Sequence, residues 1–306
     1  MRYSLSALSV LPFLGNLASA AVILPRQSTA TSLYKFSPSL RAENIAVRPN
    51  GQLLITTIDA PDLWTVDPTT KKGSKLLTFP NTLSSAGITE LTPDVYAVVT
   101  GNLTSSFANK GGWEIWKVDL TDSTPKTSVL KVFSDAGMFN GLTSLDNNTL
   151  LIPDATKGTV IKLTVSTLDS SVAIKDASML PPSGSTGFSM GIDGCRYNSG
   201  FLWWTNIFKN TFSKVAMDAT GKATGTVTQV FSDSGSNPDD FCFSADGTPY
   251  VALGKGSLAK FDDKGKMSTV ASVASATACA FGRGEKDKNT VYVTSSGGSV
   301  FAVALS

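Results

Sequence analysis

The chain is 306 residues long, carries a net charge of +2 with only 16% charged residues, and contains no histidine. So sparse a charge, with no Lys/Arg cluster interleaved with aromatics, excludes a surface that tracks nucleic-acid phosphates. The missing histidine removes Ser-His-Asp and Cys-His nucleophile systems, most zinc sites and imidazole as general base. Chemistry then falls to carboxylates, Lys, Tyr, backbone groups, an oxygen-liganded cation, or shape.

Residues 1–20 read as a secretory signal peptide: Arg2, an apolar stretch from Leu5 to Leu17, then the small-x-small site Ala18-Ser19-Ala20. The stretch is too short to span a bilayer; the alternative is a membrane-anchored or unprocessed N-terminus. Residues 21–31 follow as an N-terminal extension, and 32–306 as a single domain. This order predicts entry to the secretory pathway, with export or retention in a vesicle or vacuole, and no membrane insertion. On that route the sequons at Asn102 and Asn147 become usable for N-linked glycans, chance occurrence being the alternative.

From Ala42 onward one unit recurs six times: an apolar extended run, a turn rich in Asp, Asn and Gly, then a second strongly β-forming run. The copies begin at Ala42, Ala86, Phe139, Gly191, Asn237 and Ala276, roughly 37–54 residues apart, the length of a four-stranded blade. One blade cannot bury both faces, so six must pack around an axis. The expectation is an all-β, six-bladed propeller with four antiparallel strands per blade.

The third and fourth strands are expected at Leu63–Val66 and Ser74–Phe79, Glu114–Asp119 and Thr127–Phe133, Thr159–Leu163 and Ser171–Lys175. Blade four continues with Phe212–Met217 and Gly225–Phe231, blade five with Ser257–Phe261 and Met267–Ala271. Blade six has Val300–Leu305 and then runs out of chain, so its outer strand must come from Ser32–Phe36 near the N-terminus. Cys195, Cys242 and Cys279 occupy equivalent places in the first strands of blades four to six. They read as small buried hydrophobes, with one disulfide between neighbours as the alternative.

Aligned by their turns, the upper ends of the first strands give the column Glu43, Ala86, Asn140, Ile192, Asp239, Ala276. The column beneath reads Asn44, Gly87, Gly141, Asp193, Asp240, Thr277. Carboxylates on a channel ring are not what a core needs, which makes Glu43, Asp239, Asn140 and Asp193 the candidate catalytic residues; rim solvation is the alternative. The second strands end on Asp59, Asn102, Asp154, Asn206, Gly254 and Thr294. Of these Asp59, Asp154 and Asn206 are candidates for substrate contact, and Asp59 and Asp154 equally for capping their loops. The long loop from Gly101 to Gly112 carries Phe107 and reads as a lid or as ordinary loop variation. Phe139, Phe188, Phe208, Met190, Ile192 and one of the Trp203-Trp204 pair, taken as Trp204, are expected to make the cavity apolar. The partner so described is a small hydrophobic organic molecule. Nothing in the sequence fixes an oligomeric state.

The Glu43 start, the Asn140-Gly141 pair and the stretch Asn237-Pro238-Asp239-Asp240 through Gly247 resemble the six-bladed SMP-30/gluconolactonase/LRE-like superfamily, over residues 30–306. The resemblance implies a divalent cation, often calcium, at the top of the channel, activating lactone or phosphoester hydrolysis. Glu43 and Asp239 correspond to cation ligands and Asn140 to the substrate side. The ligand expected from blade four falls on Ile192, and only a local shift that brings in Asp193 restores it. The favoured expectation is therefore no cofactor, with Ca2+ or another divalent cation on Glu43, Asp239 and Asp193 as the alternative.

A looser similarity is to secreted, glycosylated fungal hetero-Diels–Alderases of tropolone sesquiterpenoid biosynthesis. It implies loss of water from a hydroxymethyl tropolone to give a quinone methide, then [4+2] addition to a terpene olefin. Three functions thus stand side by side: this metal-independent cycloaddition, a calcium-dependent lactonase or esterase, and a non-enzymatic small-molecule-binding propeller.

Overall fold

A computed structural model describes residues 27–262 and 264–305 of the chain. The expected signal peptide, and residues 21–26 of the extension, lie outside the described residues. Strand β1 (Ala30–Lys35) leads into blade one, formed by β2 (Ala42–Val47), β3 (Leu53–Thr57), β4 (Asp62–Asp67) and β5 (Lys72–Thr78). Blade two is β6 (Ser84–Thr92), β7 (Val95–Gly101), β8 (Trp113–Asp119) and β9 (Lys126–Phe133). Blade three is β10 (Thr143–Asp146), β11 (Thr149–Asp154), β12 (Thr159–Thr164) and β13 (Ser170–Lys175). Blade four follows as β14 (Ile192–Asn198), β15 (Phe201–Asn206), β16 (Thr211–Ala216) and β17 (Thr228–Ser232). Blade five is β18 (Pro238–Phe243), β19 (Pro249–Leu253), β20 (Ser257–Phe261) and β21 (Met267–Ser272). Blade six consists of β22 (Ala276–Phe281), β23 (Thr290–Ser295), β24 (Ser299–Ala304) and, outermost, β1.

All six sheets are antiparallel and four-stranded, so the chain is a six-bladed propeller. The inner strands β2, β6, β10, β14, β18 and β22 contact one another in a closed ring around the axis. The expected strand from Gly225 starts at Thr228, because a bridge between Met217 and Ala223 and the bond from Thr224 N to Ala216 O continue the preceding turn. The second strands are buried along almost their whole length, β3, β7 and β19 at every residue, and each core cluster is a seam: Ile192, Cys195 and Trp204 of blade four, for example, pack with Leu151 and Val160 of blade three. Cys195, Cys242 and Cys279 are all buried free thiols.

One irregularity repeats at the upper end of the inner strands. In blade one Ala42 pairs Thr57 while Ile45 pairs Ile55, so three steps on β2 oppose two on β3. The same slip separates Ser85 from Ile88, Ile192 from Cys195, Pro238 from Phe241 and Ala276 from Cys279. In blade three Phe139 bridges Asp154 before Thr143 pairs Leu151. An extra residue in one strand re-aims the side chains beside it. The backbone N–H freed by the bulge is taken by a threonine of the second strand: Asn44 N by Thr56 Oγ1, Gly194 N by Thr205 Oγ1 and Ala278 N by Thr294 Oγ1, each at 3.0 Å. A buried N–H left without a partner would be costly, so in blades one, four and six the Thr near the end of the second strand belongs to the bulge.

Candidate functional site

The bulges fix which residues face the axis. Counting from the paired residue before each slip, the first bulged position holds Glu43, Ala86, Asn140, Asp193, Asp239 and Thr277. The second holds Asn44, Gly87, Gly141, Gly194, Asp240 and Ala278. Turn-based alignment puts Ile192 and Ala276 in the upper column; the ladder moves blades four and six by one residue. Asp193 thereby occupies the ring, and Ile192 is fully buried in the seam, out of reach of a ligand.

Two of the glycines at the second position let neighbouring blades touch backbone to backbone. Gly87 N donates to Asn140 O at 2.7 Å and Gly141 N to Asp193 O at 3.1 Å. A Cβ on either glycine would fall 2.5–2.6 Å from the acceptor oxygen. Beneath the ring, Asn44 Nδ2 (2.6 Å) and Arg196 Nη2 (2.7 Å) both donate to Asp240 Oδ2. Asn44 and Asp240 are buried in this group and Arg196 is partly buried.

Above it opens a cavity of about 380 Å³, within the range of small-molecule sites. Glu43, Asn140, Asp193 and Asp239 line its floor, with Ile58, Leu103, Met138, Met190 and Ile207 on the walls. Phe107, Phe188 and Phe208, each from a different top loop, form an aromatic collar. Phe107 stacks on Phe188 with centroids 4.8 Å apart, and Phe208 meets Phe188 edge-on at 6.0 Å.

Electrostatics on the floor are unbalanced. Burial, then the Asp240 charge, push Glu43 up to about 7, against the opposing pull of the Asn140 hydrogen bond and Arg41. Asp193 is raised well above the usual carboxyl range by burial, then by Glu43 and Asp240. Asp239 is raised likewise by burial, then by Asp193 and Glu43. The Asn140 amide N–H donates to the Asp193 carboxylate, which ties blade three to blade four at the ring. Such a floor takes up protons, or positive charge, more readily than free carboxylates do.

The propeller resemblance implies a divalent cation here. As the side chains stand, no three acidic or cysteine groups among the described residues enclose an ion. The donor chemistry fits: Glu43, Asp193 and Asp239 supply hard carboxylate oxygens, with the Asn140 amide beside them.

Other candidates serve the frame. Phe139 is buried edge-on against Phe133, one residue before the ring, so its side chain turns into the seam. Trp204 is fully buried in the blade-four seam. Asn206 caps the top loop, donating to Ser178 O and Leu180 O and accepting from Lys209 N. Asp154 accepts from the backbone N–H groups of Gly137, Met138, Thr156 and Lys157. Asp59 holds Arg41, accepting from its backbone N (2.8 Å) and its guanidinium. Asn147 is exposed on the β10–β11 turn, while Asn102 is half-buried at the base of the Phe107 loop. Arg41, which lines the cavity, was not singled out in the sequence; its only signal there is its place two residues before Glu43.

The chain matches the SMP-30/gluconolactonase/LRE-like region over residues 97–297. It is 27% identical, over 96% of its length and 95% of the relative's, to a Phoma sp. protein named as a candidate hetero-Diels–Alderase. Among solved structures, a gluconolactonase from Xanthomonas campestris superposes with a TM-score of 0.66 at 12% identity, covering 90% of this chain and 89% of that one. Regucalcin from Agrobacterium tumefaciens, described as a calcium-binding protein, does so with 0.65 at 15% identity, covering 92% and 96%. The family match covers residues 97–297, more than half of the chain: the chain belongs to the SMP-30/gluconolactonase/LRE-like family.

Proposed function

We propose that the protein catalyses a dehydrative hetero-Diels–Alder cycloaddition in the top cavity, joining a quinone-methide-type tropolone to a terpene olefin. The observation that carries this reading is the division of the cavity into an aromatic and aliphatic wall above a floor of converging carboxyl groups. The relationship to the Phoma protein over nearly the whole of both chains supports it. In the first step the C–O bond of a hydroxymethyl substituent breaks, the hydroxyl leaves as water with a proton from a floor carboxyl, and the ring hydroxyl gives up its own proton. Glu43, held near neutrality by its surroundings, suits giving a proton and taking one back. In the second step one C–C and one C–O bond form together between the quinone methide and the olefin. That step needs no acid; the walls contribute by holding both partners in reacting orientation with water excluded. The reading places the enzyme in the secretory pathway, with the exposed Asn147 as a glycan site.

The test is incubation of purified protein with a hydroxymethyl tropolone and a terpene olefin. A stereochemically enriched adduct, formed equally with and without chelator, is the expected result; a racemic product at the background rate overturns the reading. Glu43→Gln should slow formation of adduct from the alcohol far more than from a preformed quinone methide.

One observation favours a second reading, lactone hydrolysis. The ladder brings Asp193 onto the ring, so blades one, four and five each offer a carboxylate. Glu43, Asp193 and Asp239 would then hold a divalent cation, which when bound polarises a carbonyl and acidifies water. Lactonase activity abolished by chelator and restored by calcium would select this reading over the first.

A further inference from the structure

Among the described residues Arg41 is the cationic side chain that lines the top cavity, and its hydrogen bonds leave part of the guanidinium unused. Nε and Nη2 donate to Asp59 Oδ1, at 2.9 and 2.5 Å, and Nη2 also donates to Ser105 O at 2.8 Å. Nη1 has no protein acceptor among the described residues. The backbone of Arg41 is pinned as well, its N–H donating to Asp59 Oδ2 at 2.8 Å. A guanidinium fixed on one edge by a carboxylate presents its other edge in a set direction, which makes it a recognition element rather than a mobile charge.

The same side chain governs the collar. Its Cζ lies 4.3 Å from the centroid of Phe107, and Phe107 in turn stacks on Phe188. Phe107 adopts a left-handed backbone (φ 61°) that a non-glycine residue keeps only when its surroundings hold it there. Within the loop, Phe107 N donates to Thr104 O at 2.8 Å and Ala108 N to Thr104 Oγ1 at 3.0 Å; the bond from Arg41 to Ser105 O and its contact with the Phe107 ring add a tie between this turn and the first blade.

We propose that Arg41 is the specificity-determining residue of this cavity, with Nη1 receiving one acidic, resonance-delocalised hydroxyl oxygen of the ligand, of the enol or tropolone class. This rests on the cycloaddition reading and names the ligand group that reading must orient. The carboxyl-lined floor disfavours a compact, fully charged carboxylate, whereas a planar ring with spread charge suits both the guanidinium edge and the stacked phenylalanines. The acidic oxygen and the neighbouring hydroxymethyl carbon are the two ends of the heterodiene, so docking the oxygen at Arg41 keeps the hydroxymethyl group in the same cavity as Glu43 and Asp239, where a leaving hydroxyl can be protonated. Because Arg41 also fastens the Phe107 loop, ligand binding and closure of the collar depend on one side chain.

The experiment is calorimetric titration of the full protein with tropolone and with its O-methyl ether, which keeps the ring and lacks the acidic hydrogen. The wild type should prefer tropolone, with the preference growing as pH rises through the ligand's own ionisation. Arg41→Gln should lose that preference by about tenfold, and Arg41→Lys should keep part of it; thermal melts show whether each variant folds. Equal binding of the two compounds, binding of neither, or an undiminished preference in Arg41→Gln overturns the proposal. Stereoselective adduct formation that persists under those results leaves the cycloaddition reading standing, whereas Arg41-dependent tropolone binding without any adduct removes that reading alone.

Discussion

Asn44 of blade one and Asp240 of blade five are joined by a 2.6 Å hydrogen bond across the channel. Arg196 of blade four completes the group, giving Nη2 to Asp240 and Nη1 to the Leu142 and Cys195 carbonyls. Four blades are therefore linked beneath the carboxyl ring by one side-chain cluster. Asp240→Ala leaves the guanidinium of Arg196 without its counter-charge in a buried place, which should cost about 3–5 kcal/mol. Asn44→Ala removes a neutral partner and should cost about 1 kcal/mol. Denaturant melts give both numbers; an Asp240→Ala variant no weaker than Asn44→Ala would show that the cluster does not bind the blades together.

The blades were legible because strand alternation and turn residues are local signals: nearly every outer strand begins and ends within a few residues of its expected bounds. Closure by the N-terminal strand was legible from the count of strands alone. The bulge was not, since a one-residue slip leaves composition unchanged and shows only in the pairing of Ile192 with Asn206 and Cys195 with Trp204. That slip put Ile192 in the wrong place and Asp193 one layer too low. Phe139 and Trp204 were misplaced for a related reason: aromatic residues beside a pocket and aromatic residues in a seam look the same in sequence until the register is known. Arg41 was invisible because its role depends on Asp59 and Phe107, which belong to two different top loops.

Raised carboxyls give the stability a definite pH dependence. Glu43 titrates at 4.5 unperturbed and at about 7 in the folded protein, so the unfolded chain loses this proton first. Stability is then fullest below the unfolded value and falls as pH rises through the folded one, and Asp193 and Asp239 extend the fall in the same direction. The surface carboxylates Asp67, Asp119, Asp218 and Asp246 are lowered instead and act only in more acidic solution. The expected result in chelator is a higher Tm at about pH 5 than at about pH 8, with a flatter profile in Glu43→Gln. Calcium that binds the ring would recover Tm chiefly at the higher pH. A Tm that rises between those two values contradicts the assignment.

Collar and seam phenylalanines should separate cleanly. Phe188 and Phe208 are 36% and 40% exposed, so replacing either by Ala should change Tm little, by about 0.5–1 kcal/mol of stability. Each should weaken ligand binding and erode the stereochemical excess of any adduct. Phe139 is 1% exposed, and Phe139→Ala should cost about 3–5 kcal/mol through the cavity it leaves. Product analysis beside thermal melts checks both halves, and a Phe139→Ala variant of unchanged stability would place that ring outside the core.

Strand β1 clasps the last blade to the first. It pairs with β24 from Ala30 to Lys35, but the side chains around it reach blade one. Phe36 meets Trp64 edge-on at 5.2 Å. The Tyr34 ring packs so closely on Gly73 that a Cβ there would lie 2.6 Å from it. Removing residues up to Phe36 would uncover the whole edge of β24 and the seam beneath Phe36, itself only 2% exposed. An unpaired edge is a template for pairing with another chain, so the truncated protein should associate or aggregate and melt at lower temperature. Phe36→Ala keeps the strand and removes only the seam contact; it should cost about 3–5 kcal/mol while the protein stays dispersed. Light scattering and melting curves distinguish the two effects. A truncated chain that stays dispersed and melts like the full one would mean that three strands suffice for blade six and that the clasp is dispensable.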